Sequence, residues 1–294
     1  MAGFRQGQRR DQRMRIYKRR KIVNKLMCTV VFLCAFLTLV PLVSIFGYVV
    51  SKGIASVNLD FFRHLPRPVG EPGGGMANAI VGSLILVGLS CLWAIPLGIF
   101  GGVYLSEFGG SKCGTMVRFT ADVLNGIPSI VIGIFAYTLF VLPMKSFSAI
   151  SGGFALGVIM IPMVMRTTEE MLRMVPRTYR EAALALGISS FRTTVSIVLK
   201  TALPGILTGI LLAIARIAGE TAPLLFTAFG NRFWHQSLKQ PIAALPLQIF
   251  VYAISPFDDW HRQAWAGALV LIAMVFFTSL ISRFAIQRRY RSGR

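Results

Sequence analysis

Six apolar runs, at residues 26–50, 78–104, 123–144, 151–171, 203–227 and 264–286, constrain this chain more than any other feature. Each is close to the about 20 residues that a helix needs to cross ~30 Å of hydrocarbon. The composition agrees: 54% of the residues are hydrophobic, only 14% are charged and the mean hydropathy is +0.65, which a soluble globular domain does not tolerate. The sequence therefore predicts an all-α integral membrane protein with six transmembrane helices. The run 241–254 is shorter, about 14 residues, and contains Pro241 and Pro246, so it is placed outside the bilayer.

Basic loops stay on the cytoplasmic side, which orients the spans. With the N-terminus inside, the inner segments hold 23 Lys and Arg and the outer segments 7, so both termini are expected in the cytoplasm. The chain then divides into a basic tail (1–25), a first transmembrane helix (26–50), a periplasmic loop (51–77), a core (78–286) and a C-terminal tail (287–294). A net charge of +20 suggests nucleic acid at first sight, but the tail "RRDQRMRIYKRRKIVNK" directly abuts the first span. There it anchors topology and meets anionic lipid headgroups, and no nucleic-acid partner is expected. The first span is too long for a signal-peptide core and has no A-x-A cleavage site, so it is expected to be retained.

Several chemistries are absent from the pattern. Cys28, Cys34, Cys91 and Cys113 lack C-x-x-C spacing, so neither a disulfide nor a metal site is expected. "GGSKCG" at 109–114 has a lysine without the spacing of a phosphate-cradling P-loop. His64, His235 and His261 form no nucleophile–base pattern. No enzyme site and no cofactor are expected.

Charge inside an apolar run is the strongest functional signal. "ILLAIARIAGETAPLLF", 210–226, places Arg216 and Glu220 four residues apart in the fifth span. A central arginine costs roughly 2.5–3.5 kcal/mol on insertion scales, and such residues usually mark a substrate route. Taken as one continuous helix, the run aligns Gly205, Gly209, Leu212, Ala213, Gly219, Glu220, Pro223 and Thr227 with Arg216, a mostly small stripe facing protein. Pro223 cannot donate to the carbonyl of Gly219, which predicts a bend beside Glu220 suited to a moving gate. Gly209 and Gly219 serve close packing and bending on this reading.

Two weaker signals lie elsewhere. "NGIPSIVIG", 125–133, places Pro128 and Ser129 at the start of the third span, either a broken helix offering N–H groups to an anion or an ordinary proline-led first turn. Arg166 follows "GVIMIPMVM" and either lies in the path or snorkels to the interface.

The long inner loop "VPRTYREAALALGISSFRTTVSIVLKTALP", 175–204, reads as a helical hairpin. Thr178 and Glu181 fit a capping box, Gly187 suits a left-handed helix end, and Ser189 or Ser190 can cap a second helix over 191–200. Glu181 is needed for no more than capping, while the small Ala182, Ala183 and Ala185 leave a surface that another protein can approach.

Glu181-Ala182-Ala183, then Gly187, Ile197 and Leu199, resembles the EAA signature of bacterial ABC importer permeases. Lys200 stands where that signature has Pro, and Leu203-Pro204 follows one turn later, so the second helix is expected to be longer. "LLAIARIAGETAPLLFTAFGNRFW", 211–234, resembles the PstA-type family of phosphate permeases, and "IPSIVIGIF", 127–135, is similar to a stretch of oxyanion permeases. The resemblance implies a MetI-like type I importer fold in a bacterial inner membrane. It implies a PstC-type permease chain as heterodimeric partner and two PstB-type ATPase subunits docked at 178–200. It also implies a periplasmic phosphate-binding protein, phosphate as cargo, and a phosphate path through Arg166 and Arg216 with Glu220 beside the latter. Other readings are a permease for molybdate, sulfate or phosphonate, a membrane scaffold or sensor, and an ion-coupled carrier.

Overall fold

The computed structural model describes residues 2–68, 71 and 73–291. Their regular structure is helical, apart from one isolated bridge between Phe229 and Ile242. The chain divides into two units, residues 1–51 and 52–294. The first is one α-helix, α1 (Ala2–Gly53), with Pro41 inside it; its apolar side chains from Val23 to Phe46 are exposed, as a lipid-facing surface would be.

In the second unit follow α2 (Leu59–Arg63), α3 (Ala77–Phe108), α4 (Lys112–Gly126), α5 (Ser129–Met144), α6 (Ala149–Arg173), α7 (Arg177–Ala185), α8 (Ser190–Ala218), α9 (Ala222–Thr227), α10 (Leu245–Ala253) and α11 (Asp258–Arg291). Among the described residues, five helices, counting that of the first unit, are long and apolar enough to cross a membrane. A sixth crossing exists if α4 and α5 count together, and these meet at 103°. The expected single span 123–144 is therefore two helices. Pro128 has no N–H to continue α4, and its backbone (φ −56, ψ 134) is extended, which starts α5 in a new direction.

The expected span 203–227 also needs correction. α8 begins at Ser190, carries Pro204 inside it and stops at Ala218; Gly219, Glu220 and Thr221 intervene before α9. Two features end it together. Gly219 closes the last turn through its N–H to the carbonyl of Arg216 at 3.1 Å, and Pro223 removes the donor that Gly219 would need one turn later. The stripe drawn on a continuous helix is split accordingly. Gly209 and Ala213 are buried, Leu212 and Arg216 are exposed, and Glu220, Pro223 and Thr227 lie beyond the helix end.

The core is built on α6. Its apolar face, with Leu156, Met160, Val164 and Leu172, is buried against α3 and α8. α8 approaches closely at Gly209, where a Cβ would stand 2.0 Å from Cγ2 and 2.7 Å from Cβ of Thr167. Only glycine fits that crossing. At the end of the unit away from α7, Ser148 caps α6 through the N–H of Ser151, and Ser151 Oγ donates to the carbonyl of Thr227 at 2.8 Å. α10 lies at the same end, where the N–H of Leu245 donates to Ser83 Oγ of α3 at 2.7 Å.

Candidate functional site

Arg216 sits in the last turn of α8, where the exposed carbonyls of a helix C-terminus favour a cation. Its Nε stands 3.8 Å from Glu220 Oε1, across the break rather than along one helix. Nη1 reaches Sδ of Met163 at 3.6 Å, a weak acceptor. The side chain is 50% exposed, that of Glu220 18%. This is a loosely held guanidinium at the end of an apolar helix.

Arg166 follows Met163 on the same face of α6, about 4.5 Å further along the axis. It is held in a different way. Nε donates to Asp122 Oδ1 at 2.9 Å and Nη2 to Oδ2 at 2.8 Å, while Nη1 donates to Glu169 Oε2 at 3.0 Å. The two-pronged geometry suits a planar guanidinium on a carboxylate and ties α6 to α4.

Glu169 is the centre of this network, with a side chain only 3% exposed. Arg118 of α4 donates to Oε1 from Nη2 at 2.6 Å and from Nε at 3.1 Å, and Arg173 approaches the same oxygen at 2.9 Å. Arg118 also meets the carbonyl of Gly109, and Arg173 that of Leu105, at the end of α3. A buried carboxylate needs such partners, because desolvation without them costs several kcal/mol. Asp122, Glu169 and Arg118 do not appear among the residues that the sequence singles out. "RTTEEMLR", 166–173, does show the 3- and 4-residue spacings around Glu169, but on α4 Asp122 is 44 positions from Arg166 and Arg118 is 51 from Glu169.

Pro128 occupies the N-cap of α5 and Ser129 its first turn, and the Ser129 hydroxyl has no hydrogen bond to the described residues. One turn on, Gly133 lies against Pro223, where a Cβ would come within 2.6 Å of the proline Cα. The face of α5 that carries Ser129 thus packs on α9, just past the break that holds Glu220. Pro223 is buried there, and Gly219 is exposed at the break.

The hairpin differs in detail from its sequence reading. α7 begins at Arg177 with Pro176 as N-cap, so Thr178 and Glu181 form no capping box; the fixed φ of Pro176 (−54) starts the helix two residues earlier. Gly187 has φ +77, and the N–H of Ile188 reaches the carbonyl of Ala183 at 3.1 Å, a glycine-terminated helix end as expected. Ser189 is the N-cap position of α8 but makes no side-chain cap bond, and α8 continues from 190 to 218 instead of forming a short second arm. Ala183 is buried, whereas Glu181, Ala182 and Ala185 are exposed beside Leu186, which is 80% exposed.

The family model for binding-protein-dependent transport system inner membrane components matches residues 94–291. The chain is similar to the phosphate transport system permease protein PstA of Xylella fastidiosa (strain Temecula1), at 46% identity over 275 residues, 93% of this chain and 96% of that one. It is also similar to PstA of Yersinia pestis, 43% identical with 98% and 96% of the two chains covered, and to PstA 1 of Mycobacterium tuberculosis, 37% identical with 93% and 91% covered. Coverage of 98% carries the likeness through the basic tail and the loop 64–75. Among solved structures, the fold is similar to that of the MetNI methionine ABC transporter in inward-facing conformations. The TM-score is 0.55 at 16% identity, with 74% of this chain and 96% of that chain covered.

Proposed function

The chain belongs to the family of binding-protein-dependent transport system inner membrane components, and from that premise we propose that it is the phosphate-translocating permease subunit of an ABC importer. It carries no ATPase function of its own; hydrolysis takes place in partner subunits. The complex sits in a bacterial inner membrane with a binding protein outside.

The observation that carries the mechanism is the contrast between two arginines near Met163 of α6, Arg166 one turn further along that helix and Arg216 reaching the sulfur from α8. Arg166 is clamped by Asp122 and Glu169, whereas Arg216 meets its carboxylate only at 3.8 Å and is half-exposed. A cation held so loosely is available to a travelling dianion at the point where phosphate must shed water. Glu220 keeps that grip weak, so the anion can leave. Arg166 and its network then shape the path towards the hairpin end, and Ser129 borders the path at the start of α5.

On this reading the α4–α5 pair is one broken span, giving six spans with both termini in the cytoplasm. α10 lies at the periplasmic side. A PstC-type permease covers the face that carries Leu212 and Arg216, and lipid surrounds the remaining apolar surface. Two PstB-type ATPases dock on hairpins, here through Glu181, Ala182, Ala183 and the turn at Gly187. Their closure moves the hairpin and tilts the spans it joins, with the break at Gly219–Thr221 and Pro223 as the hinge.

The test is uptake of labelled phosphate in cells with and without this chain, competed by molybdate, sulfate and phosphonate. Phosphate uptake that depends on the chain and resists the other anions supports the reading; equal competition by another oxyanion refutes the cargo.

A further inference from the structure

The helix that receives the ATPase, α7, is joined to α6 by the three residues 174–176 and to α8 by 186–189. A turn of three residues fixes the separation of two helices and leaves their angle free to hinge. A second point of attachment removes that freedom. Arg180, one turn into α7, donates from Nη1 to Glu107 Oε1 at 2.5 Å, and Glu107 is the penultimate residue of α3, 73 positions earlier in the chain. The two side chains are 24% and 21% exposed. Around them lies an open groove of 560 Å³ walled by Ser106, Leu172, Val175, Arg177 and Glu181, so the ion pair crosses a gap that apolar packing does not fill.

α3 continues from Glu107 for about 48 Å, taking 1.5 Å per residue over its 32 residues, to the opposite end of the unit. There the Nδ2 of Asn78 donates to the carbonyl of Asn231 at 2.6 Å, and Ser83 accepts the N–H of Leu245. One helix thus has the hairpin fastened to one end and the loop 228–244 to the other.

We propose that the Arg180–Glu107 pair is a brace that converts hairpin displacement into movement of α3, and so carries the ATPase stroke to the opposite face. It acts as a positioning contact and touches no substrate. The proposal rests on the reading of the chain as an ATP-driven phosphate permease. A charge-assisted hydrogen bond in a partly buried site holds its geometry under load better than an exposed ion pair. Without it the stroke is absorbed by hinging at 174–176, and ATP is hydrolysed without transport.

The experiment measures phosphate transported per ATP hydrolysed, in vesicles containing this chain with its permease partner, ATPase subunits and binding protein. Absence of ATP-dependent phosphate flux in the wild-type complex defeats the functional reading itself, independently of the brace. With wild-type flux present, the amount transported per ATP falls about fivefold or more in Glu107→Arg, which lies outside the docking segment and keeps bound ATPase and hydrolysis, and in Arg180→Glu. The double variant, with the charges exchanged, recovers most of the ratio; a merely structural role would instead lower assembly and hydrolysis together and leave the ratio unmoved. Should charge reversal prevent assembly, Arg180→Gln and Glu107→Gln decide by the same ratio. Single variants with a wild-type ratio overturn the brace, as does a double variant that remains as uncoupled as the singles.

Discussion

Arg216 and Glu220 face each other across the end of α8 with Nε and Oε1 3.8 Å apart, too far for a hydrogen bond and close enough for each to feel the other's charge. The Gly219 turn produces this spacing, because it takes Glu220 off the helix that carries Arg216. On the proposed reading, removing the carboxylate leaves a stronger anion site. Glu220→Gln is expected to lower the KM for phosphate uptake and lower kcat with it, since release slows. Initial-rate uptake against phosphate concentration checks this, and unchanged constants count against a role for Glu220.

Glu169 pairs with three guanidinium groups from a nearly solvent-free position. Its arginines keep some solvent, so Glu169→Ala is placed at the low end for breaking a buried pair, about 3 kcal/mol of lost stability. Asp122→Asn, at a half-exposed carboxylate, is expected to cost about 1 kcal/mol or less. Thermal unfolding of the purified complex in detergent ranks the two.

Gly209 lets α8 rest directly on Thr167 of α6. Gly209→Ala drives a methyl into Thr167 Cβ as well as Cγ2, so rotating the threonine does not relieve it. The expected loss is about 1–3 kcal/mol, and Thr167→Ala added to Gly209→Ala recovers part of it. Melting temperatures of the single and double variants measure that coupling.

Ala182 and Ala185 are exposed and small, and on the proposed reading this is where the ATPase approaches the hairpin. Ala182→Trp is expected to abolish co-purification of the ATPase subunits while the chain still reaches the membrane. Retention of the ATPase at wild-type level would place the docking surface elsewhere.

The long apolar runs are legible because hydrocarbon thickness demands a minimum length, and the helices over 77–108 and 149–173 follow from it. Hydropathy cannot distinguish one span from two helices in line. The runs 123–144 and 203–227 are apolar on both sides of their breaks, and what ends the helices is the missing donor of Pro128 and Pro223 with the turn at Gly219. Pro204 sits inside α8 without ending it, so proline alone does not decide. Arg216 stands out in the sequence because a lone cation in an apolar run has no local excuse. The clamp on Arg166 does not, because Asp122 reaches it, and Arg118 reaches Glu169, only through packing of α4 on α6. The hairpin is legible at Gly187, where only backbone geometry is asked for. It is misread at Thr178, where the fixed φ of Pro176 takes precedence over a capping pattern.

The account depends most on Arg216 meeting phosphate. The direct measurement is ATP-driven phosphate uptake by Arg216→Ala in a complex shown to contain every subunit and to hydrolyse ATP. Loss of uptake, with assembly intact, is the predicted result; uptake at the wild-type rate would contradict it.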